Sequence, residues 1–268
     1  MARHKIRRSP RLARRERRKT TQKVLLLAIL FAAAVGAVLY GFSRPEFRIK
    51  TISVLGASRI SDGSVRGAVE REISGTYLGF LPKAHTLLYP NTHLKSALLK
   101  AFPVFSSVSI SLESLAAVRV SVHEREPRAL WCQSESDCFL MDETGFVFAP
   151  AEPGTETLYY RLLKAATSSP LGTEVIDRKK LAAILSFLKE LEDLGFDPAL
   201  SDLKGGREIA VVLKGGVAIL LNEGEYDRAL SNLRALLGEK GLLPRGASGL
   251  SVSYIDLRYG NKIYFKPR

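Results

Sequence analysis

Residues 108–122 read VSISLESLAAVRVSV. Apolar and polar residues alternate from Val108 to Leu112, break around Leu115, and alternate again from Val118 to Val122. A period of two, interrupted by a short turn and resumed, predicts a β-hairpin. Upstream, residues 47–55 (FRIKTISVL) alternate through Phe47, Ile49, Thr51, Ser53 and Leu55, and Gly56 punctuates them, which predicts a strand. Between this strand and the hairpin lie two helical patterns. Ser61 or Asp62 caps the first, residues 63–73, whose Val65, Ala68, Val69 and Ile73 recur at helical spacing. Asn91 or Thr92 caps the second, which carries Leu94, Ala97, Leu98 and Ala101 and stops at Phe102-Pro103. The order β, α, α, β, β predicts an α+β unit with a three-stranded sheet and both helices on one face. The long apolar connection at 76–90 does not fit either helix.

Downstream the pattern turns to short strands: 129–132, 139–142, 145–148 and 159–163. A helix at 177–194 carries the stripe Leu181, Ile184, Leu185, Leu188 and Leu191. Strands at 209–213 and 217–221 flank Lys214-Gly215-Gly216, and a second helix covers 226–237. The last residues, VSYIDLRYGNKIYFKPR, predict two strands around Gly260-Asn261. This half is a β-rich domain with two helices.

The first residues differ from all of this. The run 24–42, VLLLAILFAAAVGAVLYGF, has no charge and no proline. As a helix these 19 positions span roughly 28 Å, close to the hydrocarbon thickness of a bilayer. Before it, residues 1–23 hold eleven of the 40 basic residues and one acid, Glu16. The rest of the chain is nearly neutral, with 29 bases against 26 acids, so the net charge of +13 belongs mostly to the tail. A transmembrane helix with a cytoplasmic basic flank is expected, and an uncleaved anchor rather than a removed signal peptide. Nucleic-acid binding is not expected, because the tail has no aromatic residue to stack bases and no recognition helix follows it.

Four functional segments result: a basic cytoplasmic tail (1–23), a transmembrane helix (24–42), an α+β domain (44–126) and a membrane-distal β-domain (127–268). None carries a catalytic pattern. His4, His85, His93 and His123 form no zinc-type spacing, no GxSxG or phosphate-binding loop is present, and Glu124 and Glu126 flank Arg125 as a charged strand end. A non-enzyme without cofactor or metal is expected. Cys132 and Cys138 bracket a five-residue polar turn and are either a bonded pair, in an oxidising compartment, or two free thiols.

The α+β unit resembles the POTRA domain of the FtsQ/DivIB cell-division proteins. The residues that carry the likeness are Ile52, Val54 and Gly56; Pro103, Phe105, Val108 and Ile110; and Val122, Glu124, Arg125, Pro127, Ala129 and Trp131. The segment LMDETGFVF (140–148) is similar to that family's D-x-x-G-x-V-F element, and IDLRYGNKIYFK to its C-terminal strand pair. The loop from Leu78 to Tyr89 departs from the pattern by its length.

The resemblance implies a bitopic scaffold of the divisome in the cytoplasmic membrane at the division septum. It would bind small single-span partners of the FtsB/DivIC and FtsL kinds outside the cytoplasm and support septal wall synthesis. It further implies that the partner docks on the last strands by strand addition. On this chain the expected contacts are Asp256, Arg258 as a charge contact, and Tyr259, Ile263, Tyr264 and Phe265 as apolar or aromatic anchors. Ile263 and Tyr264 must face opposite sides of the strand. Charge reversal at Arg258 together with Tyr259→Ala is expected to abolish capture and leave the protein folded. The alternative is a POTRA-containing transport or outer-membrane-assembly module, which would carry repeated units or a β-barrel.

Overall fold

The computed structural model describes residues 10–42, 44–77, 79, 81–166, 168–238, 245–246 and 249–268. The start of the basic tail with His4, and Leu78 of the apolar loop, lie outside the described residues. The chain divides into two compact units, one of residues up to Ala97 with Ser109–Ser121, the other of Leu98–Val108 with Val122–Arg268.

Helix α1 (Pro10–Phe42) contains the stretch Lys19–Ala37, which is long and apolar enough to cross a membrane and is buried nowhere. No side of it is sheltered by protein: Leu25, Ile29, Leu30 and Phe31 are all exposed. Apolar surface of this kind is stable in lipid.

Then follow a 3-10 turn (Pro45–Phe47), β1 (Thr51–Leu55), α2 (Asp62–Ile73), β2 (Thr76–Tyr77), β3 (Leu81–Pro82), α3 (Asn91–Ala101), β4 (Phe105–Ser114) and β5 (Ala117–Glu124). Strands β1, β5 and β4 form a three-stranded sheet in that order, with β1 parallel to β5 and Ile52 opposite Val118. Helix α2 starts where Ser61 accepts the amide of Ser64, and it buries Val65, Ala68, Val69 and Ile73. The expected strand at 47–55 is shorter than its alternation suggests. The backbone of Phe47 and Ile49 is taken by the loop, through Thr86 N to Phe47 O (2.9 Å) and Ile49 N to Ala84 O (2.8 Å), so ladder pairing begins only at Thr51.

The second half contains β6 (Ala129–Cys132), β7 (Cys138–Met141), β8 (Val147–Pro150), β9 (Arg161–Leu163), α4 (Arg178–Asp193), β10 (Pro198–Leu203), β11 (Glu208–Leu213) and β12 (Ala218–Asn222). It ends with α5 (Tyr226–Gly238), β13 (Arg245–Gly246), β14 (Gly249–Leu250), β15 (Val252–Tyr259) and β16 (Lys262–Pro267). Nine of these strands make one sheet in the order β16-β15-β12-β11-β10-β9-β6-β7-β8. Its core face carries Trp131, Met141, Leu162, Val211, Ile219 and Ile255 against Leu181, Ile184, Leu188 and Leu191 of α4 and Leu230 and Leu233 of α5. Each fully buried leucine or isoleucine contributes about 2 kcal/mol. Helix α4 lies on β10, and α5 on β12 and β15. Cys132 stands directly opposite Cys138 across β6 and β7, and the two are bonded.

Two of the sequence motifs meet just before β6. Arg125 donates from Nε to Pro103 O (3.1 Å) and from Nη1 to Asp142 Oδ2 (2.5 Å), and its guanidinium lies 4.0 Å from the Phe146 ring centroid. Asp142 Oδ1 in turn accepts the amides of Thr144 and Phe146 and the Thr144 hydroxyl. Burial pushes the Asp142 carboxyl up, but the hydrogen bonds from Thr144, Arg125 and Phe146 outweigh it and hold it below the usual carboxylate range. Gly145 closes this turn at φ +85, and a Cβ there would stand 1.9 Å from Ile176 O.

Candidate functional site

The two edges of the nine-stranded sheet are unequal. At β8, Val147 N donates to Thr173 O (2.9 Å), Gly172 N donates to Val147 O (2.8 Å), and the strand ends at Pro150, which has no N–H to offer. At the other edge, β16 pairs with β15 alone among the described residues. Its far side presents backbone donors and acceptors along 262–266, and Pro267, like Pro150, has no N–H to offer.

The hairpin that builds this edge is held from behind. Tyr259 pairs with Lys262 across the turn at Gly260, whose φ of +66 is the left-handed conformation such a tight connection needs. Asn232 of α5 donates to Gly260 O (2.8 Å), and Asn222 of β12 donates to Arg258 O (3.2 Å). These side chains fix the turn and the end of β15 to the rest of the unit. Nothing in local sequence marks Asn222 or Asn232 for this work, since both sit in ordinary amphipathic elements.

Alternation sorts the expected contacts. Ile263 and Phe265 pack onto the core with Ile255 and Leu257. Tyr264 points to the other face, is 50% exposed, and meets Tyr259, 57% exposed, edge to face at 5.4 Å between ring centroids. The exposed aromatic surface of this edge is therefore Tyr259 with Tyr264, flanked by the exposed Lys262 and Lys266, while Ile263 and Phe265 hold the strand in place.

Arg258 is placed differently from a free charge. Nε and Nη2 grip Asp256 Oδ1 and Oδ2 (2.9 and 2.6 Å), and Nη1 donates to Glu208 Oε1 (2.7 Å). Asp256 is buried. The bonds from Arg258 hold its carboxyl below the usual range despite burial, and the two carboxylates raise the guanidinium further above an already high value. Fork-to-fork pairing of this kind fixes the arginine plane, whose Cζ lies 5.7 Å from the Tyr259 ring centroid. Arg258 thus positions the edge and supports Tyr259. Glu208, fifty residues away, completes the arrangement and was not among the expected residues.

Chemically this site offers a strand edge and an aromatic pair. Among the described residues no group of three His, Cys, Asp or Glu side chains is arranged to hold a metal ion.

Residues 129–258 match the family model described as cell division protein FtsQ/DivIB, C-terminal. The chain is also 27% identical over 169 residues to the cell division protein FtsQ of Rickettsia conorii (strain ATCC VR-613 / Malish 7). The aligned region takes in 63% of this chain and 57% of that protein, so a little over half of the relative's length is represented.

Proposed function

We propose that the chain is a member of the FtsQ/DivIB family of cell division proteins, to whose C-terminal model residues 129–258 match, and, from that premise, that it is a single-span scaffold of the divisome that works by binding and not by catalysis. Its membrane-distal sheet takes up an extended segment of a small single-span division protein, of the FtsB/DivIC or FtsL kind, as a tenth strand beside β16. Residues 44–268 lie outside the cytoplasm, and the complex supports wall synthesis at the septum. The observation that carries this reading is the unpaired edge of β16, held rigid by Asn232 and the Asp256-Arg258-Glu208 cluster and bordered by Tyr259 and Tyr264. Main-chain bonds give such an interface its affinity, and the aromatic pair selects the guest.

A photoreactive amino acid at Tyr264 in dividing cells tests it. The expected product is a cross-link to a short single-span protein. Cross-links to assorted unfolded outer-membrane chains, or none while the protein is folded and membrane-bound, would overturn the proposal.

A further inference from the structure

The loop at 76–90, too long and too apolar for the sequence pattern around it, is tied to the segment that leaves the membrane helix. Arg48 and His85 form an isolated antiparallel backbone bridge, Ile49 N donates to Ala84 O, and Thr86 N donates to Phe47 O (2.9 Å). The Thr86 hydroxyl also lies at hydrogen-bond distance from the carbonyls of Phe47 (2.8 Å) and of Leu115, in the β4-β5 turn. Thr86 is buried and His85 stacks on Phe47 at 5.8 Å, so this junction is a packed structure. Beside it two leucines project outward: Leu87, 72% exposed, and Leu115, 61% exposed. Neither covers any core. Phe47 follows the last helical residue, Phe42, by only five positions, which limits their separation to about 17 Å. Arg44, Arg48 and Lys50 accompany them against the single acid Glu46.

We infer that Leu87 and Leu115 form a membrane-seated tip: they insert into the interfacial layer of the bilayer that α1 crosses, with Arg44, Arg48 and Lys50 against anionic headgroups. The occupant is the lipid surface because the tether keeps the junction carrying both leucines within about 17 Å of the end of α1. Two exposed leucines in a basic setting are the chemistry of interfacial anchoring. The insertion would hold the first unit at a fixed height and orientation over the bilayer instead of letting it swing on residues 43–46. This inference rests on α1 being a membrane span.

The test uses the full chain reconstituted in vesicles of phosphatidylethanolamine and phosphatidylglycerol with brominated acyl chains. Tryptophan is introduced singly as Leu87→Trp, Leu115→Trp, Leu55→Trp and Leu30→Trp, and the signal of the parent chain, from its one buried tryptophan Trp131, is subtracted. Leu55 is also solvent-facing but sits at the far end of β1, four residues or about 13 Å beyond Thr51. The added fluorescence of Leu87→Trp and Leu115→Trp is expected to fall by about half or more, and that of Leu55→Trp to stay nearly unchanged. Equal quenching at all three sites, or none at 87 and 115 while Leu30→Trp is quenched, overturns the inference. Quenching at 87 and 115 only at high protein-to-lipid ratio assigns the leucines to a second copy and also overturns it. An unquenched Leu30→Trp would instead remove the span on which the inference stands.

Discussion

Arg125 and Asp142, seventeen residues apart, meet in a 2.5 Å ion pair, with the guanidinium also stacked over Phe146. Both side chains are largely buried, so loss of one partner leaves the other's charge poorly compensated. Arg125→Ala is expected to destabilise the second unit by about 3 kcal/mol, read as a lowered urea midpoint in the detergent-solubilised chain. A change under about 1 kcal/mol would mean that the pair is effectively solvated.

The same carboxylate sets a pH dependence. Asp142 is held below its ordinary range in the folded protein, so its contribution is fully present above the unfolded pKa of about 3.9 and is lost as pH falls through the lower folded value. Asp256 acts in the same direction. Unfolding free energy should therefore decline below about pH 4, and the decline should be shallower in Asp142→Asn. An identical acid limb in this variant would contradict the assignment.

Glycine at position 145 is required twice over, by its φ of +85 and by the Ile176 carbonyl a side chain would strike. Gly154 has a similar φ of +92 with nothing within 4 Å. Gly145→Ala should cost well over 2 kcal/mol and Gly154→Ala about 1 kcal/mol, compared by thermal unfolding.

Tyr259 and Tyr264 separate binding from folding. Each is half exposed, and truncation to alanine should leave stability within about 1 kcal/mol, with a coupling of about 0.5–1 kcal/mol in a double-mutant cycle. Partner capture should fall at least tenfold in either variant, by pull-down from membranes, with the fold intact by circular dichroism. Ile263→Asp, facing the core, should lose both together.

Charge reversal at Arg258 is expected to disturb the fold, where the sequence alone predicts an intact one. Arg258→Glu would crowd a third carboxylate against buried Asp256 and against Glu208, at a cost of about 3 kcal/mol or more. Proteolysis of the hairpin should accelerate in this variant. Arg258→Lys should restore charge but not the two-pronged grip, giving an intermediate loss.

What was legible from sequence was whatever local chemistry specifies. Helices α2 and α4 begin within one residue of expectation because Ser61 and Asp177 cap them with their own side chains. The alternation of 262–267 sorted Ile263 from Tyr264 before any contact was known. Strand β10 was not foreseen, because Pro198, buried Ser201 and Asp202 break the apolar rhythm and only neighbours β9 and β11 make it a strand. The internal pairing of Arg258 was equally hidden, since Glu208 reaches it through sheet order. So was the use of the apolar loop, which acquires meaning only when Thr86 ties it to Phe47 and Leu115.

The inequality of the sheet's two borders fixes a valence. Polymerisation by strand exchange requires each molecule to offer two complementary free borders, one to give and one to receive. Here the β8 border is bonded at Val147 to the segment 172–173, while among the described residues β16 pairs on one side only. On the proposed reading, the nine-stranded sheet accepts one guest strand beside β16, and among the described residues its opposite border, bonded at Val147, does not extend a chain of copies. An assembly built on this sheet is terminated by its own geometry, and its composition can be counted.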